Sequence, residues 1–181
     1  MKRYLKLFLV LCGIGLTSCG SSGGGGGGAT ATPAKLNIDA DLAKWSGTAC
    51  ATTSTYTITA DDVSVTINAF PFTSTDNTMS EKILINTVDI IYTPVSNMFP
   101  ALPTQYMALG GTQVDMGGSV TIPVRVAPQD LKGLPVLNAL VCTSTIYSYY
   151  VTMTFHCRYL KSGDTFTVSA QTNIRFADFV E

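Results

Sequence analysis

The sequence predicts an all-β domain built as a two-sheet sandwich. Several segments alternate apolar and polar residues with a period of two, the mark of a strand with one buried side. Threonine, valine, isoleucine and tyrosine are frequent, and these side chains suit a pleated, half-buried surface. Only 13% of the chain is charged, and no helix of length is found.

The chain begins with Lys2, Arg3 and Lys6, followed by the apolar run LFLVLCGIGL over residues 7–16. A basic start and a short apolar core form an export signal, and the run is half of the roughly 20 residues a membrane-spanning helix needs. It ends in Leu16, Thr17, Ser18 and Cys19, which resembles the lipobox of bacterial lipoproteins: an apolar residue, two small residues and a cysteine. The resemblance implies diacylglycerol on the Cys19 thiol, cleavage before Cys19 and N-acylation of the new terminus, with palmitate among the acyl chains. It covers residues 1–19 alone. Gly20 stands where an aspartate resembles an inner-membrane retention signal, so the expected address is the outer membrane, on its periplasmic or its surface side.

Residues 1–18 are thus expected as a signal peptide, residues 19–34 as a lipidated Gly/Ser-rich tether, and residues 35–181 as the sandwich. Two or more acyl chains anchor stably where one does not. The tether sequence GSSGGGGGGATATPA, residues 20–34, carries no apolar period and is expected to behave as a random coil. It is not a phosphate-binding loop, because no strand precedes the glycines and no Lys-Ser/Thr pair follows them.

Within the domain, residues 36–40 are expected as the first strand and residues 55–69 as the second, its core face carrying Val63, Val65, Ile67 and Ala69. Residues 83–93, ILINTVDIIYT, read as a more fully buried strand. Val120, Ile122, Val124 and Val126 alternate with polar residues, and Pro123 among them argues for an edge or a bulge. A short helix is expected over residues 128–134, ended by Pro135. In IYSYYVTMTFHCRYL, residues 146–160, Tyr147, Tyr149, Val151, Met153, Phe155, Cys157 and Tyr159 share one face. After the turn cluster of residues 161–164, Phe166, Val168, Ala170, Thr172, Ile174 and Phe176 alternate again, which completes a hairpin. Six or seven such strands in about 145 residues indicate an immunoglobulin-like antiparallel sandwich, with a closed barrel as the other architecture.

Export places the domain where disulfides form. Cys142 and Cys157 are separated by an extended segment far longer than the roughly 7 Å a disulfide can bridge between Cα atoms. The connection holding Cys50 and the one holding Cys142 lie at the same pole of a sandwich, so Cys50 to Cys142 is the favoured bridge and Cys50 to Cys157 the alternative.

Little else suggests chemistry. His156 is the single histidine, and its neighbour Cys157 points to the opposite face of the strand, so the two cannot form an activated thiol pair. The acidic groups Asp39 with Asp41, Asp61 with Asp62, and Asp76 with Asn77 lack a complete calcium-loop pattern. No enzyme, metal or cofactor is expected. The mature chain carries 8 basic against 12 acidic residues once the three basic ones of the signal are removed from 11, which disfavours nucleic acid. The connections over residues 94–106 and 128–141 are unusually apolar, and Met98, Phe99, Leu102, Leu131, Leu134, Val136 and Leu137 are expected either to form one interaction surface or to fold back and plug the end of the sandwich. The function expected is a non-enzymatic, lipid-anchored envelope protein that binds another envelope protein as an interaction or accessory subunit. The alternative is a carrier for an apolar small molecule.

Overall fold

The computed structural model describes residues 28–71 and 81–179. The segment expected as a signal peptide, Cys19 and the first part of the expected tether lie outside these residues, as does the Asp76–Asn77 pair. The described chain is all-β. Its strands are β1 (Gly28–Pro33), β2 (Asn37–Asp41), β3 (Lys44–Ser46), β4 (Thr55–Thr57), β5 (Asp61–Phe70), β6 (Lys82–Pro94), β7 (Gln105–Asp115), β8 (Ser119–Ala127), β9 (Tyr147–Tyr159) and β10 (Thr165–Ala177), with helical turns α1 (Gln129–Lys132) and α2 (Pro135–Asn138) between β8 and β9.

Two sheets face each other, ordered β1-β5-β8 and β2-β10-β9-β6-β7, with β3 and β4 forming a separate small ribbon. All pairings are antiparallel except that of β2 with β10. The chain thus begins on the edge of one sheet as β1 and crosses to the edge of the other as β2. This is an immunoglobulin-like order, with β5 and β8 in one sheet and β6, β9 and β10 in the other.

The core lies between the sheets. Val63, Val65 and Ile67 of β5 and Ile122, Val124 and Val126 of β8 face Ile83, Ile85, Val88 and Ile90 of β6, Val151, Met153 and Phe155 of β9, and Ile174 and Phe176 of β10, all of them buried. The inward sets of β5, β9 and β10 are those the alternation predicts. Pro123 sits on β8, an edge strand, where its missing N–H costs no ladder bond.

Four features depart from expectation. Residues 28–33, assigned to the tether by their composition, form β1 along β5, from Gly28 opposite Phe70 to Pro33 opposite Val65; the alternating Ala29 and Ala31 pack against the core. The second strand is broken: residues 55–57 pair with β3, and β5 starts afresh at Asp61. β7 was not expected at all. Gly110 and Gly111 have φ of 63° and 75°, a conformation that costs glycine little, and they bulge the strand between Ala108 and Thr112 so that no unbroken alternation remains. Finally, Pro135 does not stop a helix but starts one, occupying the first turn of α2 where its missing N–H is harmless.

Candidate interaction face

The two ends of the sandwich differ. One holds Gly28, Phe70, the β7–β8 turn and the β9–β10 turn, since Gly28 pairs with Phe70, Lys82 with Asp115 and Ile83 with Tyr159. The other holds the β3–β4 ribbon, the loop after β6, both helical turns and the disulfide.

At this second end Cys50 and Cys142 are joined, with Cα atoms 5.6 Å apart, which is the favoured pairing; Cys157 is buried and free. Burial raises the Cys157 thiol to about 12, so it behaves as an apolar core group. Beside the disulfide, the buried Asp178 accepts the Trp45 indole N–H at 3.0 Å and the Cys142 backbone N–H at 2.7 Å. Tyr56 packs on Trp45 with ring centroids 5.0 Å apart and donates its hydroxyl to Asn138. Cys50, Cys142 and Asp178 place one ligand atom each within 4.8 Å of one another. Joined as a disulfide, the two sulfurs offer no thiolate, the form that binds metal.

The apolar loop residues are mostly inside, which corrects the expectation of an interaction surface made from them. Leu102, Leu131 and Leu137 are buried, and Phe99, Leu134 and Val136 are half-buried against the core. Phe99 lies 5.1 Å from the Tyr147 ring and 6.2 Å from that of Tyr149, whose hydroxyl donates to the Pro100 carbonyl at 2.9 Å. These segments plug the open end of the sandwich, because apolar loops gain more by covering exposed core than by facing water. Met98 alone of the seven remains outside, 89% exposed.

The remaining polar residues are engaged. His156 Nε2 lies 2.8 Å from Asp89 Oδ2 on the outer side of the five-stranded sheet, while Cys157 points into the core. Asp39 pairs with Arg175 and Asp62 with Arg125. Asp41 accepts the N–H groups of Ala43 and Phe179. Asp61 contacts the buried Lys132, whose ammonium also donates to the Asp41 carbonyl at 2.6 Å. These carboxylates bind partners of the chain itself.

What sequence reasoning missed is an apolar stripe on the outer face of that sheet. Tyr106 pairs with Asp89, Ile91 with Thr152, and Thr93 with Tyr150. Tyr106, Ile91 and Tyr150 are therefore successive diagonal neighbours, within reach of long side chains. Val95, whose N–H donates to the Ser148 carbonyl, and Ile146 continue the stripe toward Met98 at the disulfide end. All six are exposed, Tyr106 to 76% and Tyr150 to 53%. Around them the face carries Thr93, Thr152, Ser148, Gln171 and Asn173, with Asp89 in contact with His156 and Asp39 paired with Arg175.

No protein-family model matches the chain, and no curated protein is significantly similar to it in sequence.

Proposed function

We propose that the chain is a non-enzymatic outer-membrane lipoprotein, anchored through acylated Cys19, whose sandwich holds another envelope protein as an interaction or accessory subunit. The observation that carries this reading is the stripe of Tyr106, Ile91, Tyr150, Val95, Ile146 and Met98 on one sheet face. Exposed tyrosines on two adjoining rigid strands, among mostly uncharged neighbours, have the composition of an interface centre. A strand also holds them with little conformational entropy left to lose on binding.

The outer position of the stripe supports contact with a macromolecule over a small apolar guest. A carrier needs room between the sheets, and that space is occupied by Tyr149, Met153, Phe155, Phe176, Ile67, Ile83, Ile85 and Ile90, each less than 2% exposed. The placement of His156 and Cys157 on opposite faces supports the non-enzymatic reading.

The test is photo-crosslinking in the producing cells from a benzophenone side chain at Tyr106, compared with one at Thr121 on the outer face of the other sheet. One discrete adduct from Tyr106, absent from Thr121 and lost in Tyr150→Asp, is the expected result. Equal labelling from both positions overturns the assignment of this face.

A further inference from the structure

We propose that the end of the sandwich opposite the disulfide is a lipid-contact surface, seating Phe70, Pro71 and Leu160 at the headgroup boundary of the membrane that holds Cys19. The proposal rests on the anchored-lipoprotein reading and adds to it an orientation and a second point of membrane contact.

The point where the tether meets the fold carries the argument. Eight residues lie between Cys19 and Gly28, so the nine Cα-to-Cα steps, however that segment is arranged, span at most about 30 Å. Gly28 opens β1 opposite Phe70, at one extreme end of the sandwich. The thirteen residues of β9 run the length of the sheet, about 40 Å at 3.3 Å per residue. To stand on its disulfide end, the domain would have to lift Gly28 about 40 Å above the bilayer, farther than the tether reaches. The end bearing Gly28 meets no such limit.

That end has the side chains for the contact. Phe70 closes β5 and is 48% exposed, Pro71 follows it exposed, and Leu160 stands 38% exposed where β9 turns into β10. Leu160 is fixed there by its N–H bond to the Lys82 carbonyl at 2.9 Å. Among the described residues nearby, Lys82 pairs with Asp115 at 3.1 Å, Lys161 and Asp164 share one turn, and the Glu81 carboxylate is buried, accepting the Lys161 N–H at 2.9 Å. These described charges leave no excess of negative charge facing a lipid surface. Such a contact is weak for a free protein, but a tether of this length raises the local concentration of the bilayer enough to make it persistent.

The experiment uses the lipoprotein purified from its membranes and returned to vesicles of phosphatidylethanolamine and phosphatidylglycerol, with or without lipids brominated near the carbonyl end of the acyl chain. Trp45, the single tryptophan, reports on the disulfide end in the wild type, and Phe70→Trp adds a reporter at the other. The expected result is emission quenched several-fold more in Phe70→Trp than in the wild type. Tyr150→Trp tests the competing posture with the sheet face down. A protein that floats with the vesicles but shows no extra quenching in Phe70→Trp, or shows it only in Tyr150→Trp, overturns the proposal while leaving the anchor intact. A protein that neither incorporates palmitate nor floats overturns the anchor reading, and the lipid contact with it.

Discussion

The Trp45 indole N–H donates at 3.0 Å to Asp178, 133 residues later in the chain. The other oxygen of that carboxylate accepts the Cys142 N–H. Asp178 is thereby the common acceptor for the β3–β4 ribbon and for the segment entering β9. Asp178→Ala removes the acceptor of both; a hydrogen bond to a charged group is worth about 1.5–3 kcal/mol, and because the exposed Cys142 N–H can turn to water, the Trp45 bond dominates the loss. Urea denaturation is expected to show a loss in that range together with a red shift of native Trp45 emission; an unchanged midpoint refutes this role.

The two faces of the β9–β10 hairpin respond differently to truncation. Phe155 and Phe176 are fully buried, and either change to Ala is expected to cost about 3–5 kcal/mol. Thr154 lies on the outer side, and Thr154→Ala is expected to change stability by less than about 1 kcal/mol. Chemical denaturation of the three variants checks the assignment, and equal losses at positions 154 and 155 contradict it.

Lys132 has no exposed side-chain surface and contacts Asp61, itself 28% exposed. Removing only the acid leaves a buried ammonium without its counter-charge, so Asp61→Ala is expected to cost about 3 kcal/mol. Replacing both partners at once, Asp61→Ala with Lys132→Met, removes the buried charge together with its counter-charge and keeps most of the packed volume. The double variant is expected to be markedly less damaged than Asp61→Ala, and the reverse order of melting temperatures refutes the pairing.

Alkaline solution is expected to destabilise the fold. Burial raises Cys157 from 9.0 to about 12, and burial followed by the neighbouring Tyr147 raises Tyr149 from 10.0 to about 12. Above pH 9 the unfolded chain releases protons that the folded one retains, so stability is complete below that pH and declines toward 12. Cys157→Ala is expected to flatten the first part of the decline in melting temperature. Native Cys157 is expected to resist iodoacetamide at pH 8 until the protein unfolds, and rapid alkylation of the folded protein contradicts its burial.

The sequence made β5, β9 and β10 legible because each buries one face, and a period of two is the direct imprint of that burial. The Cys50–Cys142 bridge was legible for a related reason: once the strands are ordered, their connections fall at definite poles. β1 was not, since its alanines are too small to print a hydrophobic pattern and its pairing runs through the backbone. β7 was hidden by the bulge at Gly110 and Gly111. The apolar stripe was illegible for a tertiary reason. Ile90 and Ile91 are adjacent and alike, and only the register of β6 sends one inward and the other to solvent. Whether Phe99 and Leu134 form a surface or a plug likewise depends on what lies beneath them.

The switch of the first strand between sheets has a mechanical consequence. A pull on Gly28 away from the sandwich runs along the axis of β1, whose six register positions with β5 must then slip together instead of opening one by one. The parallel pairing of β2 with β10 lies next in the load path and is also drawn lengthwise, so its evenly spaced, slanted hydrogen bonds share the load. Tension entering at Gly28 is therefore met in shear at the edges of both sheets in succession, an arrangement that resists forced extraction far better than peeling would.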